Sequence, residues 1–268
     1  MSNKPIGIFD SGLGGLTVLR EIHRMMPGED LVYFGDSRRA PYGTKSRETI
    51  IRFAFQDIRF LLGKGVRAVV IACNTVSSNA LPEIIEEFDI PLIEVLTPGS
   101  EAGARASVNG KIGVIGTQAT IGSNAYPEKI REIRADAEVF QKSCPLFVPL
   151  VEEGRDLWDD RITELIASRY LSAFNGTGID VLILGCTHYP LLHDVIQRTV
   201  GAGVRLIDSA RSVAARLGML DGIGPHGTGE KGIISIYTSD SPDKFKPLCS
   251  EILGIDDVSV AQVDIEKY

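Results

Sequence analysis

The sequence is short of positive charge. Lys and Arg number 28 against 35 Asp and Glu, a formal net charge of −7 over 268 residues. With no basic block and no basic amphipathic stretch, this balance excludes a general nucleic-acid or membrane-surface binder. Apolar runs long enough for a membrane span are missing as well. The opening "MSNKPIGIFDSG" carries one Lys and then a strand-like run, with no cleavable apolar segment. A secretion signal is therefore not expected, and the expected location is cytoplasmic. Cysteine is scarce, with four residues at 73, 144, 186 and 249 and no CxxC or CxxH pair among them. That spacing argues against a zinc site and against a disulfide framework, and leaves reduced thiols. A P-loop pattern is absent, and no Lys stands in a context that suggests a pyridoxal phosphate Schiff base. The turn "SGLGG" runs Gly12-x-Gly14-Gly15 and lacks the third glycine of a dinucleotide site.

What is present is an ordinary soluble composition, 44% hydrophobic and 24% charged, enough for a real core without crosslinks. Short β-branched runs alternate with longer helix-like segments. "PIGIFD", "DLVYFGD", "RAVVIAC" and "IPLIEVL" read as strands. Between the first two, Leu16, Leu19, Ile22 and Met26 share one helical face that ends at Pro27. "SRETIIRFAFQDIRFLLGKG" reads as a long amphipathic helix closed by glycines. The strand runs are nearly continuous in Ile, Val and Leu, the pattern of a parallel sheet covered by helices on both faces.

The second half repeats the first. "KIGVIGTQATIGSNAYPEKI" parallels "PIGIFDSGLGGLTVLREI", "LFVPLVEEG" is aligned with "LVYFGDS", and "VLILGCTHYPLL" parallels "VVIACNTVSSNAL". After each cysteine a helix-like stretch leads to a strand that ends near an acid, Glu94 in one half and Asp208 in the other. The expected fold is α/β, with two similar parallel-sheet α/β domains and the active site in the cleft between them. The expected partition is 1–96 plus 209–268 for the first domain, with a returning C-terminal segment, and 97–208 for the second. The returning segment reads as a helix over 210–220, a Gly-rich loop, the strand "IISIYTS" and the helix "DKFKPLCSEILG".

In parallel α/β sheets, ligands bind outside the carboxyl ends of the strands. Cys73 and Cys186 both fall there, each beside a helix start that favours anions and activates a thiol. One strand-end cysteine is by default a small buried hydrophobe, and Cys144 and Cys249 keep that reading. The pair at equivalent places is different. Two half-sites that face each other put one thiol on each side of a bound molecule. That suits a two-base reaction at one carbon, in which one thiolate removes a proton and the opposite thiol delivers another. Each sulfur would stand roughly 3–3.5 Å from the carbon, so the sulfurs would be about 6–7 Å apart. The outcome is inversion, as in a racemase or an epimerase.

The motifs "IGIFDSGLGGLTV", "YFGDSRRAPYGTKS", "ACNTVSS", "VPLVEEG" and "LGCTHYPLL" together resemble the cofactor-independent glutamate racemases, in order over nearly the whole chain. The resemblance implies two catalytic cysteines, Cys73 and Cys186, and no cofactor or metal. It implies supporting acid–base residues at Asp10, Asp36, Glu152 and His188, with Glu153 the weaker choice for the "EEG" carboxylate. Substrate contacts fall on Asp10, Ser11, Pro41, Tyr42, Gly43, Asn74, Thr75, Thr117, Thr120 and Thr187. It further implies a homodimer that supplies D-glutamate for peptidoglycan, and thereby cell-wall biogenesis and cell shape. The long N-terminal extension of some relatives is absent, so nucleotide-precursor activation is not expected.

The residue chemistry agrees. Ser11, Asn74, Thr75 and Thr187 are short neutral hydrogen-bonders that can hold a carboxylate without Arg. Asp10 can bind a substrate ammonium or orient Cys73, and His188 can take up the proton of Cys186. The alternative is an aspartate or other amino-acid racemase of the same two-thiol family; "GCTH", where aspartate racemases resemble "GCTE", favours glutamate. A silent binding protein with a periplasmic-type cleft is a more distant alternative. His23, His193 and His226 read as surface or packing residues, and "RDLWDD" with Trp158 as a solvated helix start.

Overall fold

The structure, a computed structural model, describes residues 4–220, 231–256 and 258–268. His226 and the centre of the Gly-rich loop lie outside the described residues. The chain opens β1 (Ile6–Asp10), α1 (Leu16–Met25), β2 (Leu31–Gly35), α2 (Arg47–Gly63), β3 (Ala68–Ile71), α3 (Asn74–Asn79), α4 (Leu81–Glu87) and β4 (Leu92–Glu94). It continues with α5 (Leu96–Ala106), β5 (Lys111–Gly116), α6 (Gln118–Gly122), α7 (Ala125–Ile133), β6 (Glu138–Ser143), α8 (Phe147–Glu152), α9 (Arg161–Leu171), β7 (Val181–Gly185), α10 (His193–Val200) and β8 (Arg205–Ile207). It closes with α11 (Ala210–Leu217), β9 (Ile234–Thr238), α12 (Pro242–Leu253) and β10 (Val260–Gln262).

Two sheets result, ordered β10-β9-β2-β1-β3-β4 and β6-β5-β7-β8. Every strand pairing within them is parallel. The order β2-β1-β3-β4 recurs as β6-β5-β7-β8, so the repeat seen in the sequence is a repeat of topology. The returning C-terminal segment extends the first sheet, with β9 pairing β2 from Leu31↔Ile234 to Gly35↔Thr238.

The strands bear out the continuous apolar pattern: β1, β2, β3 and β7 are buried at every position. In α1 the face Leu16, Leu19 and Ile22, continued by Met26 just past the helix end, is buried as the spacing predicts, and α1 packs on α11 and α12. Ser46 caps α2, its Oγ accepting from Thr49 N, with Glu48 in the first turn where the helix dipole favours it. One apolar cluster runs through both halves, from Ile6 and Tyr33 to Phe147, Leu184 and Phe245. The two sheets therefore share packing rather than hanging on a linker. No helix among the described residues is long and apolar enough to cross a membrane.

One element departs from the sequence reading. "LFVPLVEEG" is not the counterpart of β2; it forms α8, and β6, "EVFQKS", takes that place beside β5. A short apolar run bounded by turns reads equally as buried strand or buried helix. Pro149 decides for the helix, because it cannot donate to a ladder but is tolerated in a first turn. β6 was hidden because it is an exposed or half-buried edge strand with little apolar content. A second difference concerns Trp158. Its ring is half-buried and its Nε1 donates to Val151 O at 3.0 Å, which ties the run after α8 to that helix.

Candidate active site

Four strand ends converge. Asp10 ends β1 and Ser11 follows it, Cys73 to Thr75 follow β3, Thr117 follows β5, and Cys186 to His188 follow β7. The same two positions of the repeated sheet, first and third strand of each half, thus supply the site from both sides. A strap after β2 adds Pro41, Tyr42 and Gly43, and α8 adds Glu152. These meet around one small cavity.

Both predicted thiols line it: Cys73 and Cys186 open onto the same space. Ser11, Asn74, Thr75, Thr117, Thr187 and His188 line it too. Three predicted residues stand behind the wall. Asp10 is fully buried; its Oδ2 accepts from Gly12 N at 3.0 Å and its Oδ1 from Thr187 Oγ1 at 3.3 Å. Thr120 is buried beneath Thr117 and Thr75 in a chain of hydroxyls, with Thr117–Thr120 and Thr75–Thr117 both at 3.0 Å. Asp36 is fully buried as well. Its Oδ1 accepts from Ser239 at 2.7 Å, and its Oδ2 accepts from Arg39 Nε at 2.5 Å and from the Tyr42 hydroxyl. Asp36 thus reaches the cavity through Tyr42. Glu153 is exposed, whereas Glu152 Oε1 lies 3.0 Å from His188 Nε2.

Close packing of the halves depends on two glycines. A Cβ at Gly14 would stand 2.4 Å from His188 Nδ1 and 2.5 Å from Thr187 Oγ1. A Cβ at Gly43 would stand 2.4 Å from Thr117 Cβ. In each case a loop of the first half lies directly on a motif of the second, closer than any side chain permits. Within "SGLGG" it is Gly14 that serves this approach, whereas Gly15 lies against Asp10 of its own half.

The electrostatics differ on the two sides. Cys73 donates to Ser11 Oγ at 3.6 Å, and burial together with the Asp10 charge pushes its thiol up to about 12. Cys73 therefore holds a proton across the neutral range; burial overrides the thiol activation expected of its helix start. On the other side, Cys186 Sγ lies 3.8 Å from His188 Nδ1. Burial disfavours a charged His188, but its hydrogen bonds to Cys186 and Glu152 outweigh burial and hold it well above 6.5. Burial also raises Asp10, opposed by His188, by the Gly15 and Gly12 N–H groups and by Thr187. Such an arrangement can hold a proton on one sulfur and accept one at the other, and its neutral donors can receive a carboxylate.

Several residues here went unmarked in the sequence. Val148 lines the cavity. Tyr126 OH donates to Asn74 Oδ1 at 2.6 Å. Arg39 Nη2 and Tyr42 OH both reach Asp57, at 3.1 and 2.9 Å. Asp57 carried one signal, a charged residue on the apolar face of α2.

Comparison with known proteins accords with this site. The Asp/Glu/Hydantoin racemase family profile matches residues 6–217. A glutamate racemase of Chlorobaculum tepidum is 46% identical over 259 residues, 94% of this chain and 93% of that one. One from Persephonella marina is 47% identical over 262 residues, 98% of each chain. The crystal structure of glutamate racemase from Francisella tularensis subsp. tularensis in complex with D-glutamate superposes with a TM-score of 0.90 at 38% identity, covering 100% of both chains. The chain belongs to the Asp/Glu/Hydantoin racemase family.

Proposed function

We propose that the protein is a glutamate racemase that interconverts L- and D-glutamate by moving a proton at Cα between two thiols, without cofactor or metal. One observation carries this reading: the cysteines of the two repeated strand-end motifs line one cavity. The identity shared with glutamate racemases supports the substrate. Cys186, beside His188, takes the α-proton of L-glutamate, and Cys73 delivers its own proton to the opposite face. The reverse direction starts from D-glutamate at Cys73. His188, held by Glu152, manages the proton of Cys186. Asp10 supports Cys73 or the substrate ammonium, and Asp36 acts through Tyr42. Ser11, the Pro41–Gly43 strap, Asn74, Thr75, Thr117, Thr120 and Thr187 form and back the walls that receive the two carboxylates. Loss of the α-proton leaves negative charge that spreads onto the α-carboxylate, and fixed hydrogen-bond donors stabilise it more in the transition state than before.

The domain division at 1–96 plus 209–268 and 97–208 belongs to the same proposal, as do a homodimer, a cytoplasmic location and a role in supplying D-glutamate for peptidoglycan and cell shape. The deciding experiment is incubation in D2O with L-glutamate and, separately, L-aspartate. The abstracted proton stays on one sulfur while the other sulfur delivers a solvent-derived one. Deuterium should therefore appear first at Cα of the inverted enantiomer, with glutamate and not with aspartate. Retention of the α-proton with both amino acids would refute racemase activity.

A further inference from the structure

Asn74 follows Cys73 directly and lines the cavity, yet its side chain is only 2% exposed. Its two ends are treated differently. Oδ1 accepts from Tyr126 OH at 2.6 Å, whereas Nδ2 has no hydrogen-bond partner in the protein. A side-chain amide has one accepting end and one donating end, and the group that meets one end decides where the other points. Tyr126 is fully buried, and burial pushes its hydroxyl well above the ordinary range, so it remains a donor. It therefore claims the oxygen of Asn74 and leaves the two N–H groups for whatever enters the cavity. A donor buried without an acceptor is costly, and the cost is removed when a ligand brings an oxygen.

Tyr126 also joins the two halves. It stands on α7 of the second half, and Asn74 on α3 of the first. Its ring packs against the strand end that precedes the other thiol, since a Cβ at Gly185 would come within 3.1 Å of Tyr126 Cε2. One side chain thus touches both cysteine motifs.

We propose that Tyr126 is a positioning residue whose hydroxyl turns the Asn74 amide so that its N–H groups face the α-carboxylate of the bound amino acid. The inference rests on the racemase reading above. As the α-proton departs, charge gathers on that carboxylate, and a donor already aimed there needs no reorientation.

Tyr126→Phe removes one oxygen and keeps the ring. In the full-length enzyme, assayed by polarimetry with D- and L-glutamate, kcat/KM should fall about tenfold, the scale of one lost hydrogen bond. In an Asn74→Ala background there is no amide to orient. There, adding Tyr126→Phe should leave kcat/KM where Asn74→Ala alone set it. A tyrosine that only packs would lower the rate by the same factor in both backgrounds, and that result overturns the proposal. So does a Tyr126→Phe enzyme with wild-type kcat/KM. If Tyr126→Phe fails to fold, the wild-type protein still decides. Its Asn74 side-chain N–H2 resonance, identified by its loss in Asn74→Ala, should shift when D-glutamate is added, and an unmoved resonance overturns the proposal. A wild-type protein that binds glutamate but never racemises it refutes the function itself, a result separate from any of these.

Discussion

His188 bridges Glu152 and Cys186: Nε2 lies 3.0 Å from Glu152 Oε1, and Nδ1 faces Cys186 Sγ at 3.8 Å. The acid comes from α8 and the imidazole from the turn after β7. Burial would strip the charge from this histidine, and its two partners restore it. Replacing Glu152 by Gln should therefore move the His188 titration midpoint down towards the ordinary value, as read by 15N-resolved NMR. The linked stability has a definite sign. A histidine raised in the folded state contributes fully below its unfolded pKa of about 6.5 and loses that contribution as pH rises through the folded value. The thermal penalty of Glu152→Gln should accordingly shrink on going from neutral to alkaline pH. A midpoint that does not move would show that the carboxylate has no hold on the ring.

Either thiol alone should be insufficient. Cys73→Ser and Cys186→Ser should each lower kcat/KM by about 10³-fold, the scale of losing a positioned acid–base group. The loss must be equal for D- and L-glutamate, because enantiomers have the same free energy and the equilibrium constant is 1 for every variant. Polarimetry from both sides checks this. A single-thiol enzyme within tenfold of wild type would contradict two-base inversion.

The thiol of Cys73 stands at about 12 because of burial first and the Asp10 carboxylate second. Removing that charge with Asp10→Asn should release part of the shift. Alkylation of Cys73 by iodoacetamide, followed by mass spectrometry, should then be faster at a given pH than in wild type and should reach its plateau at lower pH, since only the thiolate reacts. Unchanged alkylation kinetics would mean that Asp10 is not felt at the sulfur.

Gly14→Ala tests how closely the halves approach. Its methyl would fall 2.4 Å from His188 Nδ1, a group fixed on both sides and unable to retreat. We expect destabilisation of about 1–3 kcal/mol, as for other overpacked sites, together with loss of racemisation. Chemical denaturation and polarimetry on one preparation measure both. Wild-type values in each would show that the first-half loop can move away.

Asp57 is predicted to carry a proton. Burial, then the neighbouring Asp36 charge, raises it well above the ordinary carboxyl range. The Tyr42 hydroxyl meets both Asp36 and Asp57, yet has a single hydrogen to donate. A carboxyl raised on folding contributes stability that is complete below its unfolded pKa and lost as pH climbs through the folded one. Asp57→Asn, shaped like the protonated acid, lacks that loss. Its Tm relative to wild type should therefore improve as pH rises from 4 to 8. A difference that stays flat would place the proton elsewhere.

Much of this was legible along the chain. Cys73 and Cys186 stood out because the strand–cysteine–polar pattern occurs twice at matching offsets, and duplicated patterns fold to duplicated places. Ser11, Asn74, Thr75 and Thr187 followed from the rule that polar residues at the carboxyl ends of parallel strands face the binding crevice, whereas Thr117 came only with the family resemblance. Tyr126, Val148, Arg39 and Asp57 did not follow, because each reaches the site from the flank of a helix or a loop, where a tyrosine or valine reads as core and an arginine as surface. β6 escaped for the opposite reason: as an edge strand it needs few apolar residues.

By itself, the amino-acid order determined the alternation of buried strands and amphipathic helices, the repeat, and the chemistry available at each strand end. These are properties of neighbours along the chain, governed by side-chain period and turn residues. Only the tertiary structure decided that Glu152 rather than Glu153 meets His188, that Asp10 and Asp36 sit behind the wall, and that both thiols share one cavity. Those facts depend on which distant segments touch. Such contacts arise where two sheets pack on one another and exclude water, an arrangement that short-range pattern does not encode.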